Sequence, residues 1–392
     1  MSEDIPQVET GPQRGRVRQA GLSGNYWYAV EQEKNLKKGQ VIEVVFWKAS
    51  IALYRGKDGG VHAVENRCAH RQLSLSNLGH VEGDRLVCGY HGWKYDGCGQ
   101  CIEISHDLGK SQKMPQIQIR SFPVRRKYGL IWLFPGDPGL ADSVPLPSIP
   151  PLDQPDPWPY IPIDMTIHAH HSMIMENVCD FNHEYLHRRY KPFANSRLER
   201  FERGEDRVEM VYRCDLGQGP LVRHFAEGQS LIQLQYDYPY QTSDSCGKYL
   251  HWLFMLPIDE GTTRCIFLFL LGPMRVPVLN VKLPSFLRRP LIYAINRFYT
   301  EPLLLEDKQA LEEEQKAHRL HAEKPGYEFN PIIQAFQRLT VEKWDAYRRS
   351  EMERLSALKR RQERLTSLGG GIPFEELEEE IHLRAGLEES QA

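Results

Sequence analysis

The chain has 392 residues, with 49 Lys and Arg against 52 Asp and Glu and a net charge of −3 near pH 7. No overall basic field is available to hold a polyanion, so nucleic acid is excluded as a partner. At about 100–200 residues per domain, the length predicts two or three domains.

Residues 1–24 are polar, carry both charge signs and lack an apolar centre, which predicts a flexible arm rather than a signal or spanning segment. No uncharged apolar run reaches the roughly 18 residues needed to cross a bilayer. The eight cysteines are scattered along the chain instead of crowded into a short scaffold, which predicts a reducing compartment. The expectation is a cytoplasmic protein, in contact with membranes at most from their surface.

From Tyr26 the pattern turns to β structure, with residues 41–55 rich in Val, Ile, Phe and Tyr. A turn at Lys57-Asp58-Gly59-Gly60 separates them from a further strand at residues 61–65. Next come Cys68-Ala69-His70 and, with seventeen residues between His70 and Cys88, Cys88-Gly89-Tyr90-His91. Each half offers one thiolate and one imidazole. In a Rieske [2Fe-2S] centre one iron keeps two Cys while the other takes two His, which raises the potential above that of an all-Cys cluster. Gly89, Gly92, Trp93 and Tyr95 add a tight aromatic turn that can shield such a centre. Zinc also takes Cys2His2 sets and is the alternative, although the usual finger pairs Cys with Cys and His with His. Cys98-Gly99-Gln100-Cys101 has the spacing of a redox pair, but it lies in a glycine-rich turn and does not open a helix.

Residues 135–162 contain ten prolines and predict a stiff connector. A second domain begins near Ile163, with strands predicted at residues 231–240, 249–256 and 264–271. The last two are apolar enough for a sheet covered by helices. Leu231, Leu234, Trp252, Phe254, Phe267 and Phe269 are the expected pocket residues. His168, His170 and His171 are expected on a strand, alternating between core and surface. Residues 287–299 read as a basic amphipathic helix with Pro290 in its first turn, either packed on the core or lying on a membrane. Beyond residue 341 the chain becomes highly charged, helical over 351–364 and acidic after Gly369-Gly370-Gly371.

The second site lies in residues 176–190. Read as a helix, this stretch sets His183 and His187 at i and i+4 on one face. Two His and one carboxylate on one face of iron leave positions open for dioxygen and substrate. Cys179, one turn earlier, is expected to pack.

Cys68-Ala69-His70-Arg71 and Cys88-Gly89-Tyr90-His91-Gly92-Trp93, followed by Asn177-x-x-Asp180-x-x-His183, resemble the signatures of the Rieske non-haem iron oxygenases. The resemblance spans about residues 25–345. It implies that Cys68, His70, Cys88 and His91 hold the [2Fe-2S] cluster and that His183 and His187 bind a mononuclear Fe(II). Many members place four residues between these two His, whereas this chain has three. Asn177 and Asp180 are the implied catalytic residues, Asp180 joining an iron-site His to a cluster His of a neighbouring subunit. The carboxylate ligand is expected in the run Leu305-Glu306-Asp307-Lys308, with Asp307 chosen and Glu306 its rival.

The resemblance further implies an α+β protein with an N-terminal Rieske antiparallel β domain at 25–150. A catalytic domain with a helix-covered antiparallel sheet follows at 151–345, and a charged helix and tail at 346–392. An oxygenase is expected, oxidising an apolar or aromatic, pigment-like compound with dioxygen and electrons from an external reductase or ferredoxin, in a homotrimer. No Gly-rich dinucleotide fingerprint appears, so electrons need a partner. The single long chain is more similar to the monooxygenases and demethylases of the family than to its two-subunit ring dioxygenases. The alternative is a Rieske electron-transfer protein with an appended non-catalytic domain.

Overall fold

The computed structural model describes residues 13–104, 116–216, 229–274, 283–322, 324 and 327–367. They fall into two units: Met1–Leu22 with Leu146–Glu342, and Ser23–Pro145 with Lys343–Ala392. The chain passes between units at Pro145, within the proline-rich stretch. The expected acidic tail lies outside the described residues.

The first helix, α1 (Gln13–Val17), belongs to the unit that contains Leu146–Glu342. Val17, Ala20 and Leu22 are buried, so the expected flexible arm is corrected here: its end packs by apolar burial and by an ion pair at Arg18.

The Ser23–Pro145 unit is built from short antiparallel strands. They are β1 (Tyr28–Gln32), β2 (Val41–Phe46), β3 (Ala49–Arg55) and β4 (Val61–Glu65), then, beyond α2 (Leu75–Leu78), β5 (His80–Glu82), β6 (Arg85–Val87), β7 (Lys94–Tyr95), β8 (Cys101–Glu103), β9 (Ser121–Phe122), β10 (Val124–Lys127) and β11 (Leu130–Leu133). They form sheets in the orders β1-β11-β10, β2-β3-β4-β9 and β5-β6-β7-β8. Leu75, Val81, Leu86, Trp93 and Tyr95 form one apolar cluster around Cys68 and Cys88.

In the other unit, β12 (Tyr160–Ile167) leads into α3 (His171–Cys179). Strands β13 (Phe193–Arg203), β14 (Arg207–Leu216), β15 (Gln229–Asp237), β16 (Tyr240–Ser245), β17 (Tyr249–Asp259) and β18 (Thr262–Leu271) follow. They make a seven-stranded antiparallel sheet in the order β12-β18-β17-β16-β15-β14-β13. Alternation assigns its faces. Val208, Met210, Tyr212 and Cys214 of β14 are buried, as are Ile232, Leu234 and Tyr236 of β15, while the residues between them are more accessible. One row of this inner face runs across the sheet as Met210, Leu234, Ser243, His251, Phe269 and Ile161.

Helices cover that face. α4 (Ser285–Ile295), a π-helical turn at Asn296–Thr300 and α5 (Glu301–Leu320) run without a break, and α6 (Pro331–Ser367) follows. Tyr249 Oη and Thr300 Oγ1 share a 2.8 Å hydrogen bond, and Tyr236 packs on Phe336 of α6 at 4.6 Å between ring centroids. α6 crosses from one unit into the other, where its Trp344 meets Trp47, so the charged C-terminal helix is not a separate segment. Among the described residues, no helix is long and apolar enough to cross a membrane.

Three local expectations are corrected. His168, His170 and His171 are not strand residues: β12 ends at Ile167, and His170 caps α3 by accepting a hydrogen bond from the Ser172 amide. Pro290 stands inside α4, which begins at Ser285, not in its first turn. Leu231, Trp252 and Phe254 lie on the outer face by register, and the partners of Phe267 and Phe269 lie on the inner one.

Candidate metal centres

The two cluster loops share one backbone design. The Cys68 amide donates to Leu73 O at 2.9 Å and the Gln72 amide to Cys68 O at 2.8 Å. The Cys88 amide donates to Trp93 O at 2.8 Å and the Gly92 amide to Cys88 O at 2.9 Å. In each loop the residue four beyond the Cys has a positive φ, 57° at Gln72 and 68° at Gly92. Glycine takes that conformation without strain and glutamine does not. Gly89 is required for another reason: a Cβ there would lie 1.7 Å from Leu78 O.

These loops bring the four predicted residues together. Cys68 and Cys88 are buried, with their thiols in contact, and burial raises the Cys88 pKa despite amide donors at Tyr90 and His91. The His70 and His91 rings stand 4.6 Å apart between centroids, and His70 stacks on Trp93 at 4.8 Å. Tyr95 Oη lies 3.2 Å from Cys68 Sγ and accepts from the Ala69 amide at 3.0 Å. Two adjacent thiols beside two adjacent imidazoles are the donor set of a Rieske cluster, each loop supplying one ligand to either iron. Cys98 is exposed and Cys101 buried, and neither forms a disulfide.

The second centre is assembled differently from the sequence expectation. α3 ends at Cys179, and residues 180–190 form turns, so His183 and His187 do not share a helix. The cause is local: Asp180 Oδ1 accepts from the Asn182 amide at 3.0 Å, which offers the backbone an alternative to continuing the helix. The two imidazoles still meet, their centroids 5.1 Å apart and both edge-on to Phe193. From α5, Asp307 Oδ1 lies 3.3 Å from His187 Nε2 and 3.7 Å from His183 Nε2. The ligand atoms of all three residues lie within 4.8 Å of one another.

The remaining imidazole nitrogens are held. His183 Nδ1 bonds to the backbone oxygen of Asp180, and His187 Nδ1 donates to Glu306 Oε2 at 3.0 Å. Both bonds fix the tautomer that turns an Nε2 lone pair toward Asp307. Burial lowers the pKa of His183 and leaves it neutral, ready to bind a cation. Burial also opposes charge on His187, but hydrogen bonds and charge from Asp307 and Glu306 outweigh it and raise the pKa. Two imidazoles and one carboxylate converging in this way fit a ferrous ion. Glu306, the rival ligand, holds the far side of His187 instead.

Asn177 Nδ2 donates to Asp307 Oδ1 at 3.2 Å. The Asp180 carboxylate is engaged by Asn182 Nδ2 at 2.9 Å and Asn330 Nδ2 at 3.4 Å. Cys179 is fully buried, its thiol pushed up to about 12 by burial, and it packs as expected. Sequence reasoning missed Arg18. Its guanidinium forms a two-pronged pair with Glu176 at 2.7 and 2.6 Å, and Gln337 Nε2 donates to the same carboxylate at 2.9 Å. No local pattern marks a pair so distant in sequence.

Both halves of the chain are similar to known proteins. Residues 26–122 match the Rieske [2Fe-2S] domain, and residues 167–342 match the vanillate O-demethylase oxygenase C-terminal domain. The chain is 54% identical to 4beta-methylsterol monooxygenase of Methylococcus capsulatus over 358 residues, 90% of this chain and 96% of that protein. It is 33% identical over 187 residues to the oxygenase component of dicamba O-demethylase of Stenotrophomonas maltophilia, covering 47% of this chain and 52% of that one. The crystal structure of dicamba monooxygenase bound to dicamba superposes with a TM-score of 0.67 at 21% identity, over 85% of this chain and all of that one. With a Rieske cluster domain, a non-haem iron domain and near full-length similarity to a monooxygenase of the same kind, the chain belongs to the Rieske non-haem iron oxygenases.

Proposed function

We propose that the chain is a monooxygenase that oxidises a methyl group on a 4-methylsterol or an alicyclic compound of similar size. The 54% identity along 90% of the chain to 4beta-methylsterol monooxygenase carries this reading. The sheet supports it: Leu234, Leu253, Phe267 and Phe269 line its inner face, suited to an apolar ring system.

When bound, the iron supplies dioxygen activation with electrons delivered through the cluster. His183, His187 and Asp307 would hold the metal, and Cys68, His70, Cys88 and His91 the cluster. Asp180 O and Glu306 orient the two imidazoles. Asn177 steadies the Asp307 oxygen against rotation. The apolar inner face excludes water from the reacting carbon and holds it by shape. An external reductase or ferredoxin supplies the electrons.

A head-to-tail trimer follows from this reading. Asn330, which donates to the Asp180 carboxylate at 3.4 Å, lines a cavity of about 430 Å³ together with Tyr212, Tyr327 and Phe329. Exposed apolar rings at Tyr327 and Phe329 suit a docked second copy, and Tyr90 beside His91 is exposed in turn. Surface contact with a membrane, in a cytoplasmic protein, is supported by α4. There Phe286, Leu287, Tyr293 and, in the π turn, Phe298 are exposed beside Arg289 and Arg297, with no acidic residue between Ser285 and Thr300.

The test is turnover. Enzyme reconstituted with iron, a surrogate reductase and a 4-methylsterol should give an oxidised 4-methyl product, and His183→Ala should retain the cluster spectrum but form none. Wild-type enzyme that oxidises other substrates but leaves every 4-methylsterol unchanged sinks the reading.

A further inference from the structure

The inner face of the sheet carries few buried polar side chains: Thr263, whose hydroxyl donates to Ala169 O at 3.0 Å, and a group set together at one place. In the row Met210, Leu234, Ser243, His251, Phe269 and Ile161, two polar residues stand side by side at its centre. In the adjacent row Gln241 lies next to Leu253, which pairs with Phe267. Gln241 is fully buried and Ser243 nearly so. Burying polar side chains in such a face costs free energy that Leu or Val would not, unless every group is bonded.

The bonding is specific. Gln241 Nε2 donates to Thr242 O at 2.9 Å, which leaves its Oε1 to accept from His251 Nε2 at 3.0 Å. His251 therefore carries its proton on Nε2 and presents Nδ1 as an acceptor. Among the described residues, Nδ1 has no hydrogen-bonding partner. The ring lies against Phe269 at 5.4 Å and Phe267 at 6.3 Å, and burial lowers its pKa to about 4, so it is neutral near pH 7. Yet the residue keeps some accessible surface. Tyr249, two residues earlier on the same face, bonds Thr300 at the start of the helix that carries Asp307, so this face looks toward the iron side of the fold.

We infer that His251 Nδ1 accepts a hydrogen bond from the hydroxyl group of an otherwise apolar alicyclic substrate, with Gln241 fixing the tautomer that makes it an acceptor. The chemistry selects the ligand class. A neutral acceptor among aromatic rings suits a neutral donor; a carboxylate would repel the lone pair, and a hydrocarbon would leave it unbonded. This inference rests on the substrate class proposed above and adds how such a molecule is oriented: the hydroxyl anchors one end, so one methyl group faces the metal.

The test compares ligands that differ by one oxygen. Binding of a 4-methylsterol with a free 3-hydroxyl and of its 3-deoxy counterpart is measured on the iron-loaded enzyme, beside the pair decalol and decalin. The wild type should prefer each alcohol over its hydrocarbon about tenfold, the worth of one hydrogen bond. His251→Phe should bring both ratios near one with the cluster spectrum and iron content unchanged. Gln241→Leu keeps the imidazole but frees its tautomer, and should reduce the ratios in part. It also serves if the Phe variant folds poorly. A wild type without preference in either pair, or variants that keep it, overturns the inference. If neither sterol binds while decalol is still preferred over decalin through His251, the sterol reading fails and the anchor stands.

Discussion

Replacing Arg18 by Met removes the cation from a closed ion pair. The Arg18 side chain is 2% exposed and that of Glu176 11%, and the guanidinium makes two hydrogen bonds to the carboxylate. Burial by itself would favour the neutral guanidine, but Glu176 and Glu314 outweigh it and raise the pKa, so the pair is ionised. Without Arg18 the carboxylate keeps Gln337 Nε2 alone, a neutral donor. An unpaired buried charge of this kind costs about 3–5 kcal/mol. Replacing both partners, Arg18→Met with Glu176→Gln, should recover most of that loss, because no charge is stranded. Urea unfolding of the four proteins, with hydrogen exchange of the α3 amides, measures the cycle. The single variant should speed exchange along α3 and lower the midpoint at unchanged slope. A single variant within about 1 kcal/mol of wild type, or a double variant no better than the single, would refute the argument.

Other consequences are open to direct measurement. Glu306→Gln removes the carboxylate that receives the His187 Nδ1 proton at 3.0 Å, and iron affinity, measured by chelator competition, should fall roughly 10–100-fold while the cluster stays loaded. Tyr95→Phe deletes the hydroxyl 3.2 Å from Cys68 Sγ; with less hydrogen bonding to sulfur the reduced cluster loses stabilisation, and its midpoint potential should drop in a protein-film titration. His171 is fully buried and bonds Ala20 O at 2.6 Å, and burial lowers its pKa from 6.5 to about 4. The unfolded chain therefore binds the proton more readily, so this contribution is complete above pH 6.5 and is lost as pH falls toward about 4. At about 1.4 kcal/mol per unit the loss is on the order of 3 kcal/mol, and His171→Gln should flatten that part of the stability profile.

How much of this was legible depends on the range of each signal. The convergence of Cys68, His70, Cys88 and His91 was legible because ligand type and spacing are local. His183 and His187 were legible as a pair but not in conformation: a spacing of four suits a helix and a turn alike, and the Asp180 bond to Asn182 decides between them. Asp307 was reachable only by resemblance, since a lone acid on a charged helix carries no mark. The pocket face was half misread. Trp252 and Phe254 differ from Phe267 and Phe269 by strand register alone, and strands apolar on both faces hide that phase. Gln72 was invisible as the counterpart of Gly92, because only the backbone discloses that both hold the same left-handed position.

The π turn at Asn296–Thr300 gives the helix that carries Asp307 a tolerance of one residue in length. Upstream, α4 is pinned where the buried Arg288 donates to Leu271 O at 2.6 Å; downstream, α5 must aim a carboxylate at two imidazoles. A π turn takes up one more residue than an α turn, and each α-helical residue advances the side-chain direction by about 100°. The wide turn thus takes up an extra residue within one revolution, so that anchor and ligand keep the phase of a regular helix. Removing one residue from it would restore a regular helix with Asp307 in nearly the same phase, whereas removing one residue between Glu301 and Asp307 would swing the carboxylate about a quarter of a revolution away from the histidines. A change of one residue is therefore absorbed at residues 296–300, where Asn296 and Thr300 are buried and Thr300 bonds Tyr249, but not between that turn and the carboxylate.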